Sequence, residues 1–400
     1  MVPAHHIREE QPLNSRLIPT IEEPSTPVRG PAILASGHRP FFLFCAVWGT
    51  AALPLWLLAL QGVLPLSPMW HGHEMIFGFA VAAISGFLMA AVPKWTRCAP
   101  ILNNRLLLLM ALWLAGRAAM WFHDDGSVVP ALVDLAYLPV FGAFILYDIV
   151  RSRNTRNYQV PAMLFGLAAL NAVYHFHDPA LALRVAVLIV IALVSLIGGR
   201  VIPAFTQNAL RMAVDPQLTC RTPRWLDILA VPSVILVVLA ELAQLDGMVA
   251  GTVSLVAALI LGARMLGWQS IATRGLPLVW IMHAGYVWIP IGFALNGIAH
   301  LGGPVAATTA LHAFTTGAVG VMIIAIASRA ALGHSGRPLK PAKATVVAYV
   351  LVIAAAVVRV FLPIDGANEA AGLLWTAGYG LFAAVYWPIL TKPRIDGQPG

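Results

Sequence analysis

Twelve apolar stretches of about twenty residues divide this chain, and no other feature restricts its fold as strongly. A hydrocarbon layer of about 30 Å is crossed by about 20 helical residues, and a helix is one of the few structures that satisfies its own backbone there. Windows of that length fall near 40–60, 73–93, 105–122, 128–149, 160–177, 180–203, 225–245, 247–267, 276–299, 304–327, 342–362 and 370–390. The prediction is an all-α, polytopic membrane bundle of about twelve transmembrane helices. Composition agrees, with 59% hydrophobic and only 10% charged residues, where soluble proteins carry about 25% charged. Residues 1–38 read as a disordered cytoplasmic tail, 39–391 as the transmembrane domain and 392–400 as a second cytoplasmic tail. The first of these is polar and rich in proline, with no apolar core segment, so it does not resemble a signal peptide. His5 and His6 within it are read as solvated. No loop is long enough for a soluble domain, which confines any chemistry to the bundle or its two rims.

The charges test the count. With the N-terminus in the cytoplasm, 22 of the 25 lysines and arginines fall on the cytoplasmic side, and only Arg117, Arg184 and Arg359 fall toward the other. Every cytoplasmic loop then obeys the positive-inside rule, which supports twelve spans with both termini inside. The formal charge of +8 is explained by the same asymmetry and implies no nucleic-acid partner; the partner of the apolar surface is membrane lipid.

On that topology seven of the twelve histidines lie in the outer half of the bundle or on its rim: His71, His73, His123, His175, His177, His300 and His312. An ionisable residue inside a membrane marks a functional position by default, and neutral imidazole is a ligand for haem iron and copper. In "MWHGHEMIFG" a regular helix puts His71 and His73 about 200° apart, whereas His71 and Glu74 share a face. That face continues through Gly78, Ala82, Gly86 and Ala90, a strip open to a neighbouring helix or to a flat macrocycle. In the tenth window Thr308, His312, Thr316 and Gly320 form a similar stripe, with His312 about eight residues, or roughly 12 Å, below the surface. Two such histidines facing each other from separate helices could hold a haem between them, and His283 lies about two turns in from the cytoplasmic end of the ninth window. Arg200, in "GGRVIPAF", is either a snorkelling helix end or the partner of an anionic group such as a haem propionate. His334 reads as a loop residue in a basic turn, and His38 as a surface residue of the same side.

Several familiar chemistries are excluded. His73 and Glu74 open like HExxH, but position 77 is Phe77, so the second zinc histidine is missing. The glycine clusters form neither a P-loop nor GxGxxG. Cys45, Cys98 and Cys220 have no CxxC or CxxCH spacing, which argues against c-type haem attachment, iron–sulfur ligation and zinc ribbons.

The blocks "RPFFLF", "WHGHEMIFGFAVAAISGFLMAAVPKWT", "GGRVIPAFT", "HAGYVW" and "HAFTTGAVGVMIIAIASRAALGHSGRP" resemble segments of the NnrS family, over roughly residues 39–390. The resemblance implies haem and copper cofactors and a bacterial inner-membrane protein of the nitric oxide response. The positions it carries over by motif are His71, His73, Glu74, Arg200, His283, His312, Arg329 and His334. At the level of architecture alone, haem–copper oxidases and nitric oxide reductases also use twelve helices with haem histidines on the second and tenth, and with the resemblance this makes His71 and His312 the expected haem pair, His73 or His283 next, and His175, His177 or His300 the candidate copper ligands at the outer rim. The copper site of those enzymes has no counterpart here, because the sixth and seventh windows lack histidine. Three function classes follow: a haem- and copper-binding protein that binds, senses or redox-processes nitric oxide or its iron adducts, with an electron donor if it turns over; a secondary transporter of a metal or small solute; and a metal or haem assembly factor.

Overall fold

The computed structural model describes residues 30–122, 127–362 and 364–398, so His5, His6 and His123 lie outside the described residues. After a 3-10 turn at Ala32–Leu34, the described residues form helices and loops with no strand. A helix stands at each expected window. We number them α1 (His38–Leu60), α2 (Pro68–Thr96), α3 (Asn103–Ala119), α4 (Val129–Arg151), α5 (Gln159–Phe176), α6 (Pro179–Ala213), α7 (Arg224–Leu242), α8 (Gly247–Met265), α9 (Pro277–His300), α10 (Ala307–His334), α11 (Lys343–Phe361) and α12 (Ala367–Thr391). Ten are long and apolar enough to cross a membrane. The other two are α3, which has 17 residues, and α5, whose apolar run is interrupted by Asn171 and His175. The chain is a multi-pass membrane protein.

Starts and stops follow local chemistry. Ser67 caps α2 by accepting from the Trp70 N–H at 3.1 Å, with Pro68 at the first helical position. Asp178 caps α6 from Leu181 N at 2.9 Å, again followed by proline. Such caps satisfy amide groups that the first helical turn leaves open.

The helices form two populations. In α2, α6, α9 and α10 the apolar windows are 61–78% buried, against 33–44% in the other membrane-length helices. The first group is the centre of the bundle, and α2 and α10 carry His71, His73 and His312. The outer helices present large apolar side chains outward, among them Leu236, Leu259 and Leu373, the pattern of a lipid-facing surface. The first and last helices pack together, α1 against α12.

Two irregularities were not legible from periodicity. In α2 the segment Glu74–Ala80 is π-helical, and in α10 so is Ala313–Gly320. Each begins directly after a histidine, His73 in one and His312 in the other. Runs of π geometry are uncommon and concentrate at functional sites. The small-residue strip of α2 is filled by α1. A Cβ at Gly78 would lie 2.6 Å from Trp48 Nε1, and one at Gly86 would lie 2.7 Å from the Phe42 ring. Helix packing, the first of the two expected uses, is thus what occupies it.

Candidate metal centre

Four helices contribute to one buried polar cluster at the end of the bundle where α2 begins. His73 and Glu74 come from the first turns of α2, Arg117 from the last turn of α3, Asp134 from the turn before α4 breaks at Ala136, and Asn171 and His175 from one face of α5. Because α5 is regular there, Asn171 and His175 are four residues apart and share a face. Gly116 lets α3 and α4 approach, since a Cβ there would lie 3.0 Å from Asp134 Oδ1.

The contacts are dense. His73 Nδ1 lies 3.1 Å from Glu74 Oε1, and its Nε2 lies 3.1 Å from Asp134 Oδ2 and 3.0 Å from Asn171 Oδ1. His175 Nε2 lies 3.1 Å from the same Asp134 Oδ2, to which Asn171 Nδ2 donates at 2.7 Å. Arg117 donates through Nη1 to Glu74 Oε1 at 2.6 Å and through Nη2 to Asp134 Oδ1. The side chains of His73, Glu74 and His175 are 0% exposed and that of Asp134 1%. Both ring nitrogens of His73 face carboxylate oxygens, so with Glu74 and Asp134 ionised both donate and the ring is an imidazolium. Phe77 and Tyr174 flank it, with ring centroids 4.8 and 4.6 Å from the imidazole.

These residues meet the requirements of a metal site. One ligand atom each from His73, Asp134 and His175 lies within 4.8 Å of the other two, and two imidazoles with a carboxylate suit first-row transition metals. Ligating histidines usually donate their second ring N–H to a carboxylate, which fixes ring orientation; Glu74 stands in that position to His73. Glu74 Oε2 is buried with no hydrogen-bond partner among the described residues, an acceptor such a site leaves for a further ligand or water. The adjoining cavity, bounded by Arg117, Asp134, Tyr137 and Asn171, is about 10 Å³. That volume holds about one water molecule and excludes a macrocycle.

His71 points away from this cluster, as the expected 200° separation from His73 requires. Glu74, expected to share the face of His71, instead joins His73, because Arg117 draws its carboxylate toward α3. The indole of Trp56 stacks on His71 at 5.0 Å and 14°, and His71 Nδ1 is buried with no partner among the described residues. His312 donates Nδ1–H to the Thr308 carbonyl at 2.7 Å, the orienting bond that prepares Nε2 for a metal. His71, His312 and Arg359 lie within electrostatic reach of one another. An orphaned ring nitrogen and a pre-oriented one thus stand on the two helices with π segments, and these are the residues that would hold a haem.

The remaining expected residues lie elsewhere. His283 donates Nε2–H to Thr206 Oγ1 at 2.9 Å, whose own hydroxyl donates to Ile202 O, and accepts from Ser270 Oγ at 2.9 Å. Neither of its nitrogens is left for a metal. Arg200 donates to Asn157 Oδ1 at 2.9 Å, at the opposite end from His71. His300 pairs with Glu241 Oε1 at 2.8 Å, with Arg184 3.8 Å from the other carboxylate oxygen. His177 is exposed just beyond α5. His175, His177 and His300 therefore do not converge, and only His175 enters the cluster. Arg329 lies over the Phe205 ring at 3.9 Å. His334 closes α10 as a helical residue and accepts from Lys94 at 3.3 Å. Its ring lies 4.8 Å from that of His38, which is only 2% exposed.

Asp134, Arg117 and Asn171 were absent from the expected site. Two of them carried a readable signal: Asp134 is a carboxylate inside an apolar window, and Arg117 breaks the positive-inside pattern. Intramembrane charges of opposite sign are costly alone and so tend to find each other.

Fold and site together define a multi-pass helical membrane protein with a histidine–carboxylate centre buried among its helices. The sequence profile described as NnrS protein matches residues 32–394, and the chain belongs to the NnrS family. That membership suggests a role in the nitric oxide response. No curated protein matches the chain in sequence.

Proposed function

We propose that this protein is a haem- and copper-binding protein of the bacterial cytoplasmic membrane that binds, senses or redox-processes nitric oxide or its iron adducts. In this reading α3 and α5 also span the bilayer, giving twelve spans with both termini cytoplasmic, a division the lysine and arginine asymmetry supports. Residues 39–391 are then the transmembrane domain between two cytoplasmic tails.

The observation that carries the reading is the His73–Asp134–His175 set with Glu74 behind His73. His73 Nε2, Asp134 Oδ2 and His175 Nε2 would hold copper, and Asn171 orients the carboxylate between them. His71 and His312 would hold haem, and Arg359, within electrostatic reach of both, would pair with an anionic group there, one of the two roles weighed for Arg200. Bound there, the two cofactors would supply redox-active ions; with two imidazoles on the haem iron, the three-ligand copper set is the one that would leave a position open for nitric oxide. The chain's own part is to desolvate the site, fix imidazole orientation and hold compensating charge. The ring of Tyr174 and the apolar wall of Phe77 keep bulk water from the His73 face.

The test is optical absorption, electron paramagnetic resonance and metal analysis of the purified protein and four variants. His73→Ala and His175→Ala lose copper and keep the haem bands; His71→Ala and His312→Ala do the reverse. Full copper retention in both His73→Ala and His175→Ala refutes the assignment.

A further inference from the structure

Arg117 touches the two carboxylates that matter most to the centre. Its Nη1 donates to Glu74, which orients His73, and its Nη2 donates to Asp134, whose other oxygen faces both histidines. The guanidinium is held there by structure. Trp113 lies beneath it, 5.8 Å from Cζ to the ring centroid, and donates its indole N–H to Gly78 O at 3.2 Å. Gly78 is required for the fit, because a Cβ there would lie 2.9 Å from Arg117 Nη1. Arginine is always charged, and its planar fork matches two carboxylate oxygens at once.

We infer that Arg117 is the positioning residue that sets the ionic charge of the centre, biasing it toward singly charged over doubly charged copper. The inference rests on the copper reading above. Glu74, Asp134 and Arg117 together contribute two negative charges and one positive. In a buried site of low effective dielectric, each added positive charge beside the ligands disfavours the higher oxidation state of the bound ion. Arg117 does this at hydrogen-bond distance through both carboxylates.

The full-length protein is purified and loaded with copper, and its copper reduction potential and spin-active Cu(II) fraction are measured. Three variants are compared. Arg117→Gln removes the charge and lowers the ratio of Cu(I) to Cu(II) affinity at least tenfold, a fall in potential of at least 59 mV for one electron. Glu74→Gln removes an opposing charge and moves the potential the other way. Arg117→Lys keeps the charge and restores the potential toward that of the native protein. The opposite signs distinguish charge setting from mere disturbance of packing. If Arg117→Gln does not fold, Glu74→Gln and Arg117→Lys decide alone. Copper binding with potentials that do not separate by charge overturns this inference and leaves the copper reading standing. Copper content in native protein no greater than in His73→Ala overturns both.

Discussion

Replacing Arg117 with leucine removes one cation from two buried carboxylates at once. The side chains concerned are 7%, 0% and 1% exposed for Arg117, Glu74 and Asp134, so bulk water does not screen these charges. Breaking a buried pair by deleting one partner costs about 3–5 kcal/mol, because the other charge is left uncompensated. Here two carboxylates are left facing one His73 ring, which places Arg117→Leu toward the upper end of that range. Adding Glu74→Gln removes the excess charge and leaves Asp134 with His73. The double variant should then recover part of the loss, with a coupling energy of about 1–3 kcal/mol, the scale seen for residues in one network. Reversible unfolding in bicelles, followed for the native protein, both single variants and the double, measures the cycle. Additive losses, with no recovery in the double variant, would refute the claim that the three side chains form one electrostatic unit.

Three further outcomes follow from the same contacts. Copper loading should release about one proton per ion, since the Nε2–H of His73 must leave before that nitrogen can ligate; calorimetry in buffers of different ionisation enthalpy counts it, and a count near zero contradicts the imidazolium. His283→Leu should leave haem and copper content unchanged while costing about 1–3 kcal/mol through the stranded Thr206 and Ser270 hydroxyls, as metal analysis and unfolding would check. Gly285→Ala should destabilise by about 1–3 kcal/mol through overpacking, because the new Cβ would lie 3.0 Å from Met322 N in α10; a melting temperature unchanged from native protein counts against that close approach.

Helix positions were legible because a bilayer imposes one length and one polarity on every span, and the twelve apolar windows report it directly. The separate directions of His71 and His73 also followed from residue geometry alone. What periodicity could not carry was tertiary. Glu74 was assigned to the face of His71 on a regular helix, but its carboxylate is claimed by Arg117, 43 positions later. His175 was placed among rim histidines, although Asn171 one turn earlier and Asp134 across on α4 draw it into the core. His283 looked like any other intramembrane imidazole until two hydroxyls from α6 and the turn before α9 occupied its nitrogens. Each of these outcomes depends on partners dozens of residues away, and nothing in the local spacing names them.

The widened turns of α2 and α10 give the molecule a mode of change that substitution does not reach. An α-helical residue advances about 100° around the axis, and a π turn accommodates a residue more than the α ladder does. Deleting a single codon within 74–80 would let that stretch relax to α geometry with His71 and His73 keeping nearly the same direction relative to everything from Val81 onward, because the π turn is what absorbs the extra residue. The same deletion within 313–320 would leave His312 aimed nearly as before relative to Val321 onward. Loss of one residue, tolerated by the backbone because it removes an irregularity, would thus be felt inside each widened turn and not in the aim of the imidazoles that precede it.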